Sequence, residues 1–176
     1  MLRLSRKKNL RRLNYIIDSL ADCQKKTEGV TGIEGYIFGA TLPSSEFKKN
    51  VVLQFDNVES GKTNISTQAW VPWYTMHKIL AGLTDAYEVA GNETALEVAN
   101  KLATWIADRA NSWDTSTQNK VLSVEYGGMN DALYQLYKVT DASNKEDFYS
   151  AAHKFDETSL FEGVLKGTDN ILNNKH

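Results

Sequence analysis

The sequence predicts an all-α protein built from αα-hairpins. Three observations lead there. Apolar residues recur at helical spacing through most of the 176 residues. Both prolines, Pro43 and Pro72, fall outside those periodic segments. The last hundred or so residues also repeat themselves: Leu83, Tyr87, Val89 and Gly91 return as Leu133, Tyr137, Val139 and Asp141. A repeat of about fifty residues is the mark of hairpin units that bury their apolar faces on one another. They either stack into an open solenoid or close into an α/α toroid.

The first helix is expected over Ser5 to Lys26. Leu10, Leu13, Ile16, Ile17 and Leu20 give it an apolar side, opposite a cationic face of Arg3, Arg6, Lys7, Lys8, Arg11 and Arg12. Cys23, the only cysteine, excludes an intrachain disulfide and is expected to be a small core residue. Glycines at 29, 32, 35 and 39 then open a long connection over residues 29–69. Within it Gly35–Phe38 and Val51–Phe55 read as short strands. A loop of this length in a compact domain points to function.

From Trp70 onward the chain settles into hairpins, so the organisation reads as one domain: a helix over 1–28, the loop over 29–69 and hairpins over 70–176. Met76, Leu80, Leu83 and Tyr87 form one stripe; Gly91-Asn92 breaks it, with Asn92 placed to cap the next helix. That helix carries Leu96, Ala99, Leu102, Ala103, Ile106 and Ala110. Asn111 to Lys120 reads as a polar loop. A third helix spans Met129 to Val139, and a fourth carries Phe148, Ala151, Ala152 and Phe155. In the second helices of the two hairpins, Ala99 and Leu102 correspond to Ala152 and Phe155.

Composition excludes some functions. With 41% hydrophobic and 24% charged residues and a net charge of -2, nothing draws the whole chain to nucleic acid or an anionic surface. The basic N-terminal cluster reads as a solvated helix face. No apolar run approaches the ~20 residues of a membrane span, and no secretory leader is visible, so a cytoplasmic location is expected.

The chemistry concentrates where the two hairpins begin. Trp73, Tyr74 and His77 stand at the first entrance, beside Trp70. Glu125, Tyr126, Gly127, Gly128 and Asn130 stand at the second. Aromatic rings with a few directed polar groups suit a sugar, whose C–H faces stack while its hydroxyls need donors and acceptors. Trp70 and Trp73 could equally be core, and His77 could be structural. Glu125 is placed to be a general acid or base, or to cap the helix that follows it. Gly127-Gly128 would let a ligand approach the backbone. Asp131 lies one step further round, and His153 is expected to pack or face solvent.

These entrances resemble a known family. Trp70-Val71-Pro72-Trp73-Tyr74-Thr75-Met76-His77-Lys78, continuing to Ala81-Gly82-Leu83, is similar to a WxPxYxxHKxxAGL signature. Glu125-Tyr126-Gly127-Gly128-Met129-Asn130 is similar to its E-x-GGMN signature. Cys23-Gln24 with Gly35-Tyr36-Ile37 resembles a third segment. All belong to the β-L-arabinofuranosidase-like enzymes of glycoside hydrolase family 127, with sibling family 146. The resemblance implies an (α/α)6 toroid with sugar held at its mouth by His77 and the Glu125–Asn130 loop. It implies partners that are L-arabinofuranose-containing glycans. It also implies a cysteine nucleophile on zinc, downstream of this stretch, so that no catalytic or metal-binding residue and no cofactor is expected in this chain itself. His176 falls at the start of a further H-A-N-T segment and joins the candidate sugar contacts. Asp131 departs from the glutamate often found there. With about six helices expected, roughly half the ring, the complement would be the missing C-terminal half or a second chain. A non-catalytic sugar-binding or protein-interaction module is the alternative reading.

Overall fold

The computed structural model describes residues 2–37, 50–63, 71–125 and 127–171, and among them it is all helix, with no strand. Eight helices follow one another: α1 (Leu2–Thr31), α2 (Leu53–Glu59), α3 (Pro72–Ala90), α4 (Glu93–Ala110), α5 (Thr115–Leu122), α6 (Met129–Val139), α7 (Lys145–Lys154) and α8 (Thr158–Leu165). This is consistent with part of an α-helical toroid.

The repeat governs the packing. α3 and α4 form one hairpin, α6 and α7 the next, and like lies beside like: α3 against α6, α4 against α7. At the turn of the first hairpin the chain reverses through Gly91 (φ 64°), and the Asn92 side chain accepts from the Ala95 N–H at 2.9 Å, as the sequence predicts. Met76, Leu80 and Leu83 from α3, Leu102 and Ile106 from α4, and Leu133 and Leu136 from α6 are all buried. The hairpins are also tied by polar bonds. Thr140 donates its hydroxyl to Asn100 Oδ1 (2.8 Å), and Asn144 Nδ2 donates to Thr104 Oγ1 (3.0 Å). α1 closes the other side of the first hairpin, against α4 and α3.

Several expectations are corrected. Val51–Phe55 is not a strand. Val51 and Val52 turn, and Leu53 opens α2, which rests on α5 and α3. A short apolar run fits either structure, and here Phe55 and Val58 bury one helical face. No strand forms at Gly35–Ile37; Phe38 lies outside the described residues, as do all of residues 38–49 and 64–70. The polar stretch 111–120 contains α5, begun by Asp114, whose carboxylate accepts from the Thr117 N–H at 2.7 Å. α8 follows the fourth expected helix.

On α1 the buried position is not Cys23, which is exposed, but Gln24. One residue is a 100° turn of a helix. Gln24 tolerates burial because its amide donates to the carbonyls of Gly35 (2.9 Å) and Val98 (3.2 Å), fastening α1 to α4. The apolar side of α1 is only partly used: Ile17 is buried, while Leu10 and Ile16 stay exposed. No helix among the described residues is long and apolar enough to cross a membrane.

Candidate functional site

The two hairpin entrances meet. Gly128 has φ +85°, and a Cβ there would stand 2.5 Å from His77 Nε2 and 2.7 Å from its Cδ2. Only glycine lets the ring of α3 come this close to the start of α6, and only glycine holds that dihedral without strain. The two glycines at the helix start therefore serve a contact between motifs about fifty residues apart.

Glu125 makes the second link. Its Oε2 accepts from the Tyr74 backbone N–H at 2.9 Å. Tyr74 lies in the first turn of α3, where N–H groups lack helical partners. Glu125 thus caps the helix of the preceding hairpin, not α6, the helix that follows it; α6 starts at Gly128 with no side-chain cap. The carboxyl is almost fully buried, and that burial pushes it up to about 7 against the pull of the Tyr74 and Trp73 N–H groups. A carboxyl poised near neutral pH can hold or release a proton there.

The chain before α3 is strained. Val71 takes a left-handed conformation (φ 42°, ψ 64°), costly for a β-branched residue, and all the more before a proline. Pro72 then fits the first helical position, where no N–H is needed. Strain of this kind, held by surrounding structure, clusters at functional sites.

His77 is buried against the edge of Tyr74, ring centroids 4.7 Å apart. Burial lowers its pKa first and the neighbouring Lys78 charge adds to this, while Asp131 opposes them. The imidazole is therefore neutral at pH 7. Its Nδ1 and the Glu125 Oε1 are both buried with no hydrogen-bond partner among the described residues. The Nε1 of Trp73 is a third such atom at this helix entrance; unsatisfied buried polar atoms are uncommon, and those of His77 and Glu125 suit a ligand that supplies the missing bonds.

The remaining predicted residues fall into place differently. Trp73 is 1% exposed and sits in an aromatic cluster with Phe55, Trp105, Trp113 and Phe155, so it supports the site from below and is no open stacking wall. Tyr74 is 48% exposed, with the Lys78 ammonium over its ring, 5.0 Å from the centroid. Asn130 turns its amide to Asp156 (Nδ2 to Oδ1, 3.0 Å), which ties the GGMN segment to the end of α7. Asp156 also accepts from Tyr134 Oη (3.1 Å), and its Oδ2 lies 2.8 Å from His153 Nδ1. His153 faces solvent, one of the two expected outcomes, and its spacing to Asp156, one turn along the chain, was the available signal for their contact. Tyr126 and His176 lie outside the described residues.

Residues 3–176 match the family described as beta-L-arabinofuranosidase, GH127 catalytic domain. The chain belongs to this family. No curated protein matches it closely. The two GH127 signature segments are thus the two segments that the fold joins through Gly128–His77 and Glu125–Tyr74. The zinc that the resemblance implies finds no ligand set among the described residues. No group of three or more His, Cys, Asp or Glu among the described residues could hold a metal, and Cys23 is an exposed residue of α1. These residues do not fit the metal.

Proposed function

We infer that this chain forms the sugar-holding entrance of a β-L-arabinofuranosidase-like glycoside hydrolase and that its own residues carry no nucleophile. The carrying observation is the joint between the two motifs, where His77 and Glu125 each keep one buried polar atom without a partner among the described residues. A furanose hydroxyl donating to Glu125 and another bonding His77 would satisfy both, with Tyr74 stacking on the ring's C–H face. The family match supports the glycosidase class; the L-arabinofuranosyl group is the substrate proposed from it. Glu125 holds Tyr74 in place through the backbone and, near its half-protonated state, presents either a donor or an acceptor to the sugar.

The test is calorimetric titration of the purified chain with L-arabinofuranosyl oligosaccharides. Binding is expected, and His77→Ala should weaken it at least tenfold. Unchanged affinity in His77→Ala would refute the assignment. Hydrolysis of an aryl β-L-arabinofuranoside by the chain alone would refute the claim that no nucleophile is present.

A further inference from the structure

We propose, resting on the sugar-site reading, that Asp156 is a positioning residue of that site: it fixes which way round the Asn130 amide lies, and so which donor and acceptor Asn130 presents to a sugar. Asn130 is the second residue of α6, two places after the Gly128 that meets His77. Its side chain is held at both ends. Nδ2 donates to Asp156 Oδ1 at 3.0 Å, and Oδ1 accepts from the Asp131 backbone N–H at 2.9 Å. That N–H lies in the first turn of α6, where N–H groups have no helical partner. The two neighbours are of opposite kind, because a carboxylate only accepts and a backbone N–H only donates. A flipped amide would set oxygen against carboxylate and N–H against N–H, so a single orientation satisfies both. A primary amide carries two N–H donors and two oxygen lone pairs. After these two bonds one donor and one lone pair are left, which suits a pair of neighbouring sugar hydroxyls, one accepting and one donating.

Asp156 is itself firmly held. It stands two residues past the end of α7, with its side chain 22% exposed. Its second oxygen, Oδ2, accepts from Tyr134 Oη at 3.1 Å and lies 2.8 Å from His153 Nδ1. Burial first, and then the Asp156 charge, pushes the Tyr134 phenol up to about 12, so it keeps the proton it donates. His153 bonds Oδ2 only with a proton on Nδ1, so both neighbours donate and the carboxylate remains the acceptor. Asn130 and Tyr134 are four residues apart on one face of α6. The two oxygens of one carboxylate thus grip that helix at two points, and Asp156 cannot turn from Asn130 without disturbing Tyr134. An asparagine already ordered in this way loses less side-chain freedom when a ligand binds.

Calorimetric titration with methyl β-L-arabinofuranoside tests this in wild type, Asp156→Ala, Asn130→Ala and the double variant, with urea melts alongside. Asp156→Ala should weaken binding about fivefold, and Asn130→Ala at least as much. In the Asn130→Ala background, Asp156→Ala should cost no further affinity, because its route to the sugar is gone. Asp156→Asn should rescue the affinity that Asp156→Ala loses: the new carbonyl can accept from Asn130 while the new amide turns to Tyr134 and His153. Exchanging the pair, Asn130→Asp with Asp156→Asn, separates positioning from a merely structural bond. The exchange restores a hydrogen bond of reversed polarity, so stability should match that of Asp156→Asn while affinity stays about fivefold below wild type. If Asp156→Ala fails to fold, Asp156→Asn and the exchange keep the side-chain volume and give the same reading. Equal losses from Asp156→Ala with and without Asn130 overturn the proposal, and so does an exchange variant that binds like wild type. Unchanged binding in Asp156→Ala, with His77→Ala weakened, overturns it and leaves the sugar site standing. No binding by the wild type overturns both.

Discussion

Replacing Gly128 by alanine probes the joint between the two motifs directly. The added Cβ would lie 2.5, 2.7 and 2.9 Å from three atoms of the His77 ring, well inside van der Waals contact. His77 is 5% exposed and packed against Tyr74, so the ring has little room to retreat. Overpacking of this kind costs about 1–3 kcal/mol. The backbone adds a separate cost, because φ +85° is unfavourable for any residue with a Cβ, at about 1–3 kcal/mol. Together they predict a loss of about 4 kcal/mol, or a fall in Tm of roughly 10 °C for a chain of this size. The two parts separate in a double-mutant cycle. His77→Ala removes the atoms that clash but leaves the dihedral strain. Gly128→Ala should therefore cost at least about 1 kcal/mol less in the His77→Ala background than in the wild type. Urea denaturation of the four proteins measures this. Additivity within about 0.5 kcal/mol would mean that the ring and the glycine do not share a contact.

Two further outcomes follow from buried charge. The Glu125 carboxyl rises from 4.5 to about 7 in the folded chain, so its contribution to stability is fully present below about 4.5 and is lost as pH climbs through 7. The loss amounts to about 3 kcal/mol between pH 4.5 and 8. His77 acts in the other direction: its lowered pKa costs stability as pH falls below 6.5. The difference between wild type and Glu125→Gln, followed by denaturant melts across this range, isolates the carboxyl, and parallel curves would contradict its burial. Arg109 is a partly buried charge, pairing with Asp56 and with Glu59 (Nε to Oε1, 2.5 Å) and bracing α4 against α2. Arg109→Ala leaves Glu59, which burial already pushes up, without its partner. A loss of about 3 kcal/mol is expected in urea melts, and less than 1 kcal/mol would show the pair to be a solvated surface contact.

The sequence was most legible where periodicity and punctuation agreed. Met129 to Val139 came out with its observed bounds, and so did the Gly91-Asn92 turn, because an apolar stripe and its cap point the same way. The repeat foretold hairpin units that bury their faces on one another; which helices pair came from the structure. Short elements were hidden for a physical reason. Seven residues of α2 offer too few turns to distinguish a helix from a strand, and Asp114, the cap of α5, was lost among other polar residues. At the site, the motifs identified the right neighbourhood but not the roles. Trp73 could be wall or core, and only the packing of Phe55, Trp105 and Trp113 around it decides for core. Glu125 could cap the helix after it; that it caps α3 instead depends on a contact across 51 residues of chain, which no local pattern carries. Gln24 shows the same limit. Its burial depends on carbonyls that α4 and the Gly35 turn bring to it.

The central claim is that the entrances of α3 and α6 form one sugar site. Amide chemical shifts of the labelled chain, followed during titration with methyl β-L-arabinofuranoside, address it most directly. Saturable shifts should appear together at Tyr74, His77, Glu125, Gly127, Gly128 and Asn130, on both sides of the joint. Shifts confined to one entrance, or gathered on another surface while these six amides stay still, would contradict it.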